Sequence, residues 1–183
     1  SSLYDADPDK LKEVKVGMFD RMPGEEGMES LDLIAEILLD KPGLRVGFIY
    51  SMDEEVYHDS LAYKMAVESF KNSESNPGSV DKVLLTDSLL EDYLRKELSG
   101  SDIPGNSSLQ DLCTLYATTP DLAARYDSSR NEHIDFVSDY LRQNKSVPPD
   151  RISFSYELPD SLEPGKTDAL LYVFFKSLAS ANE

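Results

Sequence analysis

Seven apolar residues stand in a row at Ala169-Leu170-Leu171-Tyr172-Val173-Phe174-Phe175, the most apolar run in the chain. A run of this length, rich in aliphatic and aromatic side chains, reads as a central strand, so the chain must build a sheet around it. Its neighbours are visible elsewhere. Val14, Val16 and Met18 alternate with Lys15, Gly17 and Phe19, and Ile152, Phe154, Tyr156 and Leu158 alternate with Arg151, Ser153, Ser155 and Glu157. Both patterns have the period of a strand with one apolar face. Leu44-Arg45-Val46-Gly47-Phe48-Ile49-Tyr50 is nearly continuous in apolar character, as expected of a strand covered on both faces.

Between these strands the period changes to that of a helix. Leu31, Ile34, Ala35 and Leu38 form a stripe closed by Asp40-Lys41-Pro42-Gly43. The S-x-x-E spacing of Ser51 and Glu54 is that of a capping box, and Tyr57, Leu61 and Met65 continue as a helical spine with Ala62, Ala66 and Phe70 alongside. Asn72 to Gly78 reads as a loop, Val80 to Leu85 as a short strand or a lead-in, and Leu90, Tyr93, Leu94 and Leu98 as a helix. After a loop from Ser99 to Ser108, Leu109, Leu112, Cys113 and Tyr116 make another helical stripe. A break at Pro120 precedes a helix with Ile134, Val137 and Leu141 on one face, and Ser129 with Glu132 offers it a capping box. The fold class is therefore α/β in the sense of an α+β sandwich, a mixed sheet with helices packed on it in the order β-α-β-(several α)-β-β.

Charge and composition narrow the functions. Eighteen Lys+Arg against 35 Asp+Glu give a net charge of −17, and 40% hydrophobic residues are ample for a core. One domain is expected over residues 1–183, with a helical insertion at about 72–126 and a flexible 1–12. An acidic chain with scattered basic residues repels phosphate, so nucleic acid is not expected as a partner. The chain has no run of 18 apolar residues, hence no expected transmembrane segment, and Ser1-Ser2-Leu3-Tyr4-Asp5 lacks a basic n-region followed by an apolar h-region.

Catalytic and metal motifs are sparse. Cys113, the single cysteine, falls on the apolar stripe of its helix and reads as a small buried hydrophobe. Asp5, Asp7 and Asp9 have the alternate spacing of a calcium loop, but Lys10 and Val16 stand where that loop needs Gly and Glu. Glu54 and Glu55 precede His58 by four and three residues, within reach of a shared metal on a helix, although acids in a first turn are favoured by the helix dipole alone. No G-x-S-x-G, Walker A, G-x-G-x-x-G or H-E-x-x-H is present. No metal, no cofactor and no catalytic activity are expected.

Two segments carry a family resemblance. Pro23-Gly24, then Ser30-Leu31-Asp32-Leu33-Ile34-Ala35-Glu36-Ile37-Leu38 running into Lys41-Pro42-Gly43-Leu44-Arg45-Val46, resembles the opening of OmpA-like C-terminal domains, L-D-x-I-A-x-x-L followed by N/R-P-x-L-R-V. Phe136-Val137-Ser138-Asp139-Tyr140-Leu141 and Val147-Pro148-Pro149-Asp150-Arg151-Ile152 resemble that fold's A-V-x-D-Y-L and G-V-P-x-D-R-I, which join its second helix to its third strand. The long helical stretch between them is similar to the expanded form found in large AsmA-like envelope proteins of Gram-negative bacteria, a family of largely unknown function.

The resemblance implies a non-catalytic interaction or scaffold module of a larger envelope protein, facing the periplasm, with other envelope proteins or peptidoglycan as partners. Peptidoglycan-binding members use an Asp after the second strand and an Arg in an R-A pair on the next helix. Asp53 matches the first, with Met52 in place of the usual Thr. The R-A position holds Met65-Ala66 or His133-Ile134, and Lys64 or Arg130 stands nearby as a substitute cation. The candidate ligand residues are thus Asp53, Lys64, Arg130 and His133, although only a guanidinium binds a carboxylate bidentately. A thioredoxin-like interaction domain without redox chemistry suits the same order of elements.

Overall fold

The computed structural model describes residues 8–73 and 85–178. The expected calcium-like run at Asp5, the flexible start and the strand or lead-in at Val80 lie wholly or largely outside the described residues. The chain forms two compact units, one of residues 1–53 and 127–183 and the other of residues 54–126. The second unit takes in a helix before the stretch 72–126 expected as an insertion.

The first unit is a four-stranded mixed sheet in the order β1-β4-β2-β3, from β1 (Glu13–Gly17), β2 (Leu44–Ser51), β3 (Ile152–Ser155) and β4 (Asp168–Ser177). Both flanking pairs of β4 are antiparallel, while β2 and β3 are parallel. The apolar run Ala169–Phe175 is central, as its composition requires. Val14, Val16, Val46, Phe48, Tyr50, Ala169, Leu171 and Val173 are buried on one face, beneath α1 (Glu25–Asp40) with its buried Leu31, Ile34, Ala35 and Leu38.

The opposite face of the sheet departs from expectation. β2 is not covered on both sides, because Arg45, Gly47 and Ile49 are only half-buried in alternation with the core residues. β3 is also shorter than its alternating pattern. Pairing ends at Ser155, and Tyr156, 56% exposed, stacks beneath the Arg130 guanidinium at 4.9 Å instead of joining the ladder.

In the second unit, α2 (Glu54–Asn72), α3 (Asp87–Glu97), α4 (Leu109–Ala117) and the start of α5 (Thr119–Asp139) bury Tyr57, Leu61, Leu90, Leu94, Leu112 and Leu122. Thr86 caps α3, and Ser108 with Asp111 forms a capping box for α4. Ser69 Oγ meets the hydroxyls of Tyr93 at 2.7 Å and Tyr116 at 2.5 Å, so the polar tips of two aromatic side chains are satisfied together. Cys113 is fully buried, and burial pushes its thiol up to about 11, which leaves no thiolate at neutral pH.

Two local expectations change. Ser51 does not serve as the cap of α2, because it ends β2 three residues before the helix begins at Glu54, and its Oγ accepts the Gly165 N–H at 3.2 Å. Ser129 is no cap either, since α5 runs unbroken from Thr119 to Asp139. The break lies instead at Thr118, in the left-handed region with φ 64°, and Pro120 occupies the first turn, where its missing N–H costs nothing.

Candidate functional site: an acidic-rimmed groove

The last part of α5 belongs to the first unit and places Glu132, Asp135, Phe136 and Asp139 at i, i+3, i+4 and i+7, on a single side of the helix. A π turn at Tyr140–Asn144 then widens the helix end and keeps Tyr140 and Asn144 on the same side. Facing them are Arg21 and Met22 from the β1-to-α1 connection and Met28 from α1. Together these nine residues line an open groove of about 720 Å³. Its floor is apolar and deformable, with Met22 50% exposed, Met28, and the rings of Phe136 and Tyr140 stacked at 6.1 Å. Three carboxylates, one guanidinium and the Asn144 amide stand in the polar part of the lining.

Two side-chain networks set this shape. The Tyr140 hydroxyl donates to Asp32 Oδ1, the Lys145 ammonium reaches the same oxygen at 3.1 Å, and it lies 5.8 Å from the Tyr140 ring centroid. Accepting from Tyr140 and Lys145 at once, Asp32 ties the π turn to α1. The donated bond to Asp32 holds the Tyr140 phenol above its ordinary range, and the same carboxylate raises Lys145. Beneath the groove, His133 is fully buried, with Nδ1 2.8 Å from the Tyr50 hydroxyl and Nε2 2.6 Å from the Asp20 carbonyl. A carbonyl can only accept, so Nε2 carries the proton and Nδ1 accepts from Tyr50. This bond pins the connection that carries Arg21 and Met22 to the groove edge.

The residues named from the peptidoglycan pattern are not gathered here. Asp53 follows β2, where its N–H donates to the Gly165 carbonyl at 2.7 Å. Gly165 approaches so closely that an added Cβ would lie 2.6 Å from the Ser51 carbonyl oxygen, so a larger residue would force the two segments apart. Lys64 lies exposed on α2 in the second unit. Arg130 stacks on Tyr156 and reaches Asp127 at 3.7 Å. His133 has both ring nitrogens engaged in the core and offers neither to a ligand. Glu54, Glu55 and His58 do not form a metal cluster, since no group of three His, Cys, Asp or Glu suited to a metal occurs among the described residues.

One residue outside the candidate set matters more to the fold. Arg151 is 8% exposed, and its guanidinium donates from Nε to the Leu44 carbonyl at 2.8 Å and from Nη2 to the Leu38 and Lys41 carbonyls at 2.6 and 2.8 Å. It satisfies the Leu38 carbonyl in the last turn of α1, adds a second donor to the Lys41 carbonyl that also accepts the Leu44 N–H at 3.1 Å, and places a positive charge at that helix's negative pole. Among the described residues no helix is long and apolar enough to cross a membrane. Comparison with known proteins finds no matching family model, no matching curated protein and no matching solved structure.

Proposed function

We propose that this chain is a non-catalytic, OmpA-like interaction module of a larger Gram-negative envelope protein of the AsmA-like kind, facing the periplasm. The observation that carries this reading is Arg151. It lies in the V-P-P-D-R-I segment and bonds Leu38, Lys41 and Leu44 of the segment running from Ser30 to Val46. The two stretches that resemble the family, distant in sequence, are thus one structural unit, as a shared fold requires. Their places agree with the resemblance too, one leading from α1 into β2 and the other from α5 into β3.

The groove gives the module its means of contact. An apolar, Met-bearing floor under three carboxylates suits a partner segment that presents apolar side chains flanked by Lys or Arg. Peptidoglycan is not favoured as the partner, because the R-A position of the family pattern holds Met65-Ala66 or His133-Ile134 and so supplies no guanidinium for a ligand carboxylate.

A labelled Leu/Lys amphipathic peptide of about four helical turns is the probe, read by fluorescence anisotropy. Binding is expected to weaken about tenfold for Phe136→Ser, a half-buried position whose loss removes apolar floor and no charge. Asp135→Asn with Asp139→Asn is expected to flatten the salt dependence, whereas Glu25→Gln with Glu26→Gln, equal charges on the first turn of α1, leaves it intact. Equal weakening by both charge pairs, with no effect of Phe136→Ser, would reduce the association to the overall charge of −17 and remove the groove from the account.

A further inference from the structure

The face of the sheet turned away from α1 carries a charge arrangement that the fold leaves uncompensated. Arg45 on β2 stands directly opposite Lys176 on β4 in the antiparallel register. Like charges placed across from each other on one sheet face destabilise the pair. Relief would be easy to find in a chain with 35 acidic residues, yet among the described residues neither cation has an ion pair or a hydrogen bond, and Arg45 Nε is buried without a partner there. Lys15, on the same face at β1, differs in having Glu13 at 3.8 Å.

Next to this pair the face is hollow. Gly47, Ile49, Ser153, Ser155, Phe174 and Lys176 contribute to a depression of about 280 Å³. It exists because residue 47 has no side chain: a Cβ there would come within 3.3 Å of Ser153 Oγ and fill the floor. Phe174, directly opposite Gly47 and 39% exposed, supplies an aromatic wall one step along the strand from the two cations. The depression is smaller than the usual metabolite cavity and has the size of one or two side chains.

We propose that this face docks an acidic segment of a partner protein, taking one carboxylate on Arg45 and Lys176 and the neighbouring apolar side chain against Phe174 in the hollow over Gly47. The charge is complementary at the point of contact, where a guanidinium binds a carboxylate bidentately and the ammonium opposite adds a third donor. A single carboxylate also fits the setting better than a polyanion. At physiological salt the field of the remaining acidic surface is screened beyond about 8 Å, so an isolated carboxylate can approach, whereas a nucleic acid or an anionic lipid surface must approach the whole of a chain with net charge −17.

The probe is N-acetylphenylalanine, which places a carboxylate beside an aromatic ring, with N-acetylphenylalaninamide as its uncharged counterpart and inorganic phosphate as the anion without a ring. On the full chain, the side-chain Nε–H resonance of Arg45 and the amides of Gly47 and Phe174 are followed by NMR. N-acetylphenylalanine is expected to shift them saturably with a Kd of about 1 mM, as suits so small a ligand, and the amide and phosphate to shift them at least tenfold more weakly. Arg45→Gln and Lys176→Glu are each expected to abolish the response. Lys176→Glu should at the same time raise the melting temperature by about 1–3 °C, because it turns a repulsive cross-strand pair into an attractive one. A variant that folds better and binds nothing separates recognition from stability. Equal shifts by acid and amide, an equal response to phosphate, or no saturable shift with the acid would each overturn the proposal.

Discussion

Arg151→Met is expected to lower the stability of the protein by about 3–5 kcal/mol, measured as a fall in the urea midpoint at unchanged slope. The estimate rests on three charge-assisted bonds from one buried guanidinium to the carbonyls of Leu38, Lys41 and Leu44. Methionine fills similar volume, so the loss reports unsatisfied carbonyls and a lost helix-end charge more than a cavity. Arg151→Lys retains the charge and at most part of the geometry, and should recover less than half of the deficit. A deficit under about 1 kcal/mol for Arg151→Met would mean that water replaces the guanidinium at α1's end, and the link between the two family-like segments would lose its energetic meaning.

His133→Leu is expected to cost about 2–4 kcal/mol at pH 7.5, because it removes a fully buried imidazole that bonds the Tyr50 hydroxyl on one side and the Asp20 carbonyl on the other. The pH dependence distinguishes this from simple packing loss. Burial holds the His133 pKa below the ordinary 6.5, against the opposing pull of its bond to the Asp20 carbonyl and of the Glu132 and Asp20 carboxylates. The folded form therefore resists a proton that the unfolded chain accepts. Its neutral imidazole contributes fully above about pH 6.5, and that contribution falls as the pH drops below it, by at most about 1.4 kcal/mol per pH unit. Equilibrium unfolding of wild type and His133→Leu from pH 8 to 5 should accordingly give curves that converge on the acid side. A constant gap would mean that His133 titrates alike in both states. Tyr50 softens the transition, since its hydroxyl can accept from a protonated Nδ1 and turn its own hydrogen to Met52 Sδ, 3.6 Å away.

The sheet was readable from the sequence wherever apolar residues alternate and the tertiary neighbours agree with the pattern. Residues 169–175 take an inner place in the sheet, between β1 and β2, and their buried Ala169, Leu171 and Val173 share an interior with Val14 and Val16. The pattern misleads at Tyr156, where alternation continues after pairing has ended and the ring is used by Arg130. It misleads again at Ser129, whose capping signal is local while the helix through it already propagates from Thr119.

The site was less legible. Asp53, Lys64, Arg130 and His133 came from a motif position, and a motif position does not say which side chains the core will claim. His133 illustrates this, since only the fold reveals that Tyr50 and Asp20 occupy its nitrogens. The groove draws on two segments more than 100 residues apart, so periodicity within either could not show it. One signal was present: Glu132, Asp135, Phe136, Asp139 and Tyr140 recur at helical spacing, acidic and aromatic on one side. Arg45 facing Lys176 is likewise invisible until the strand register is known.

Residue-resolved NMR titration of the protein with two ligands, the Leu/Lys peptide and soluble muropeptide, tests the central claim most directly. The account predicts that the peptide shifts the methyl groups of Met22 and Met28 and the ring of Phe136, while muropeptide at millimolar concentration leaves Ser51 to Glu55 unmoved. Saturable muropeptide shifts around Asp53, abolished by Asp53→Ala in a folded protein, together with a groove silent to the peptide, would contradict it and make the module a cell-wall anchor.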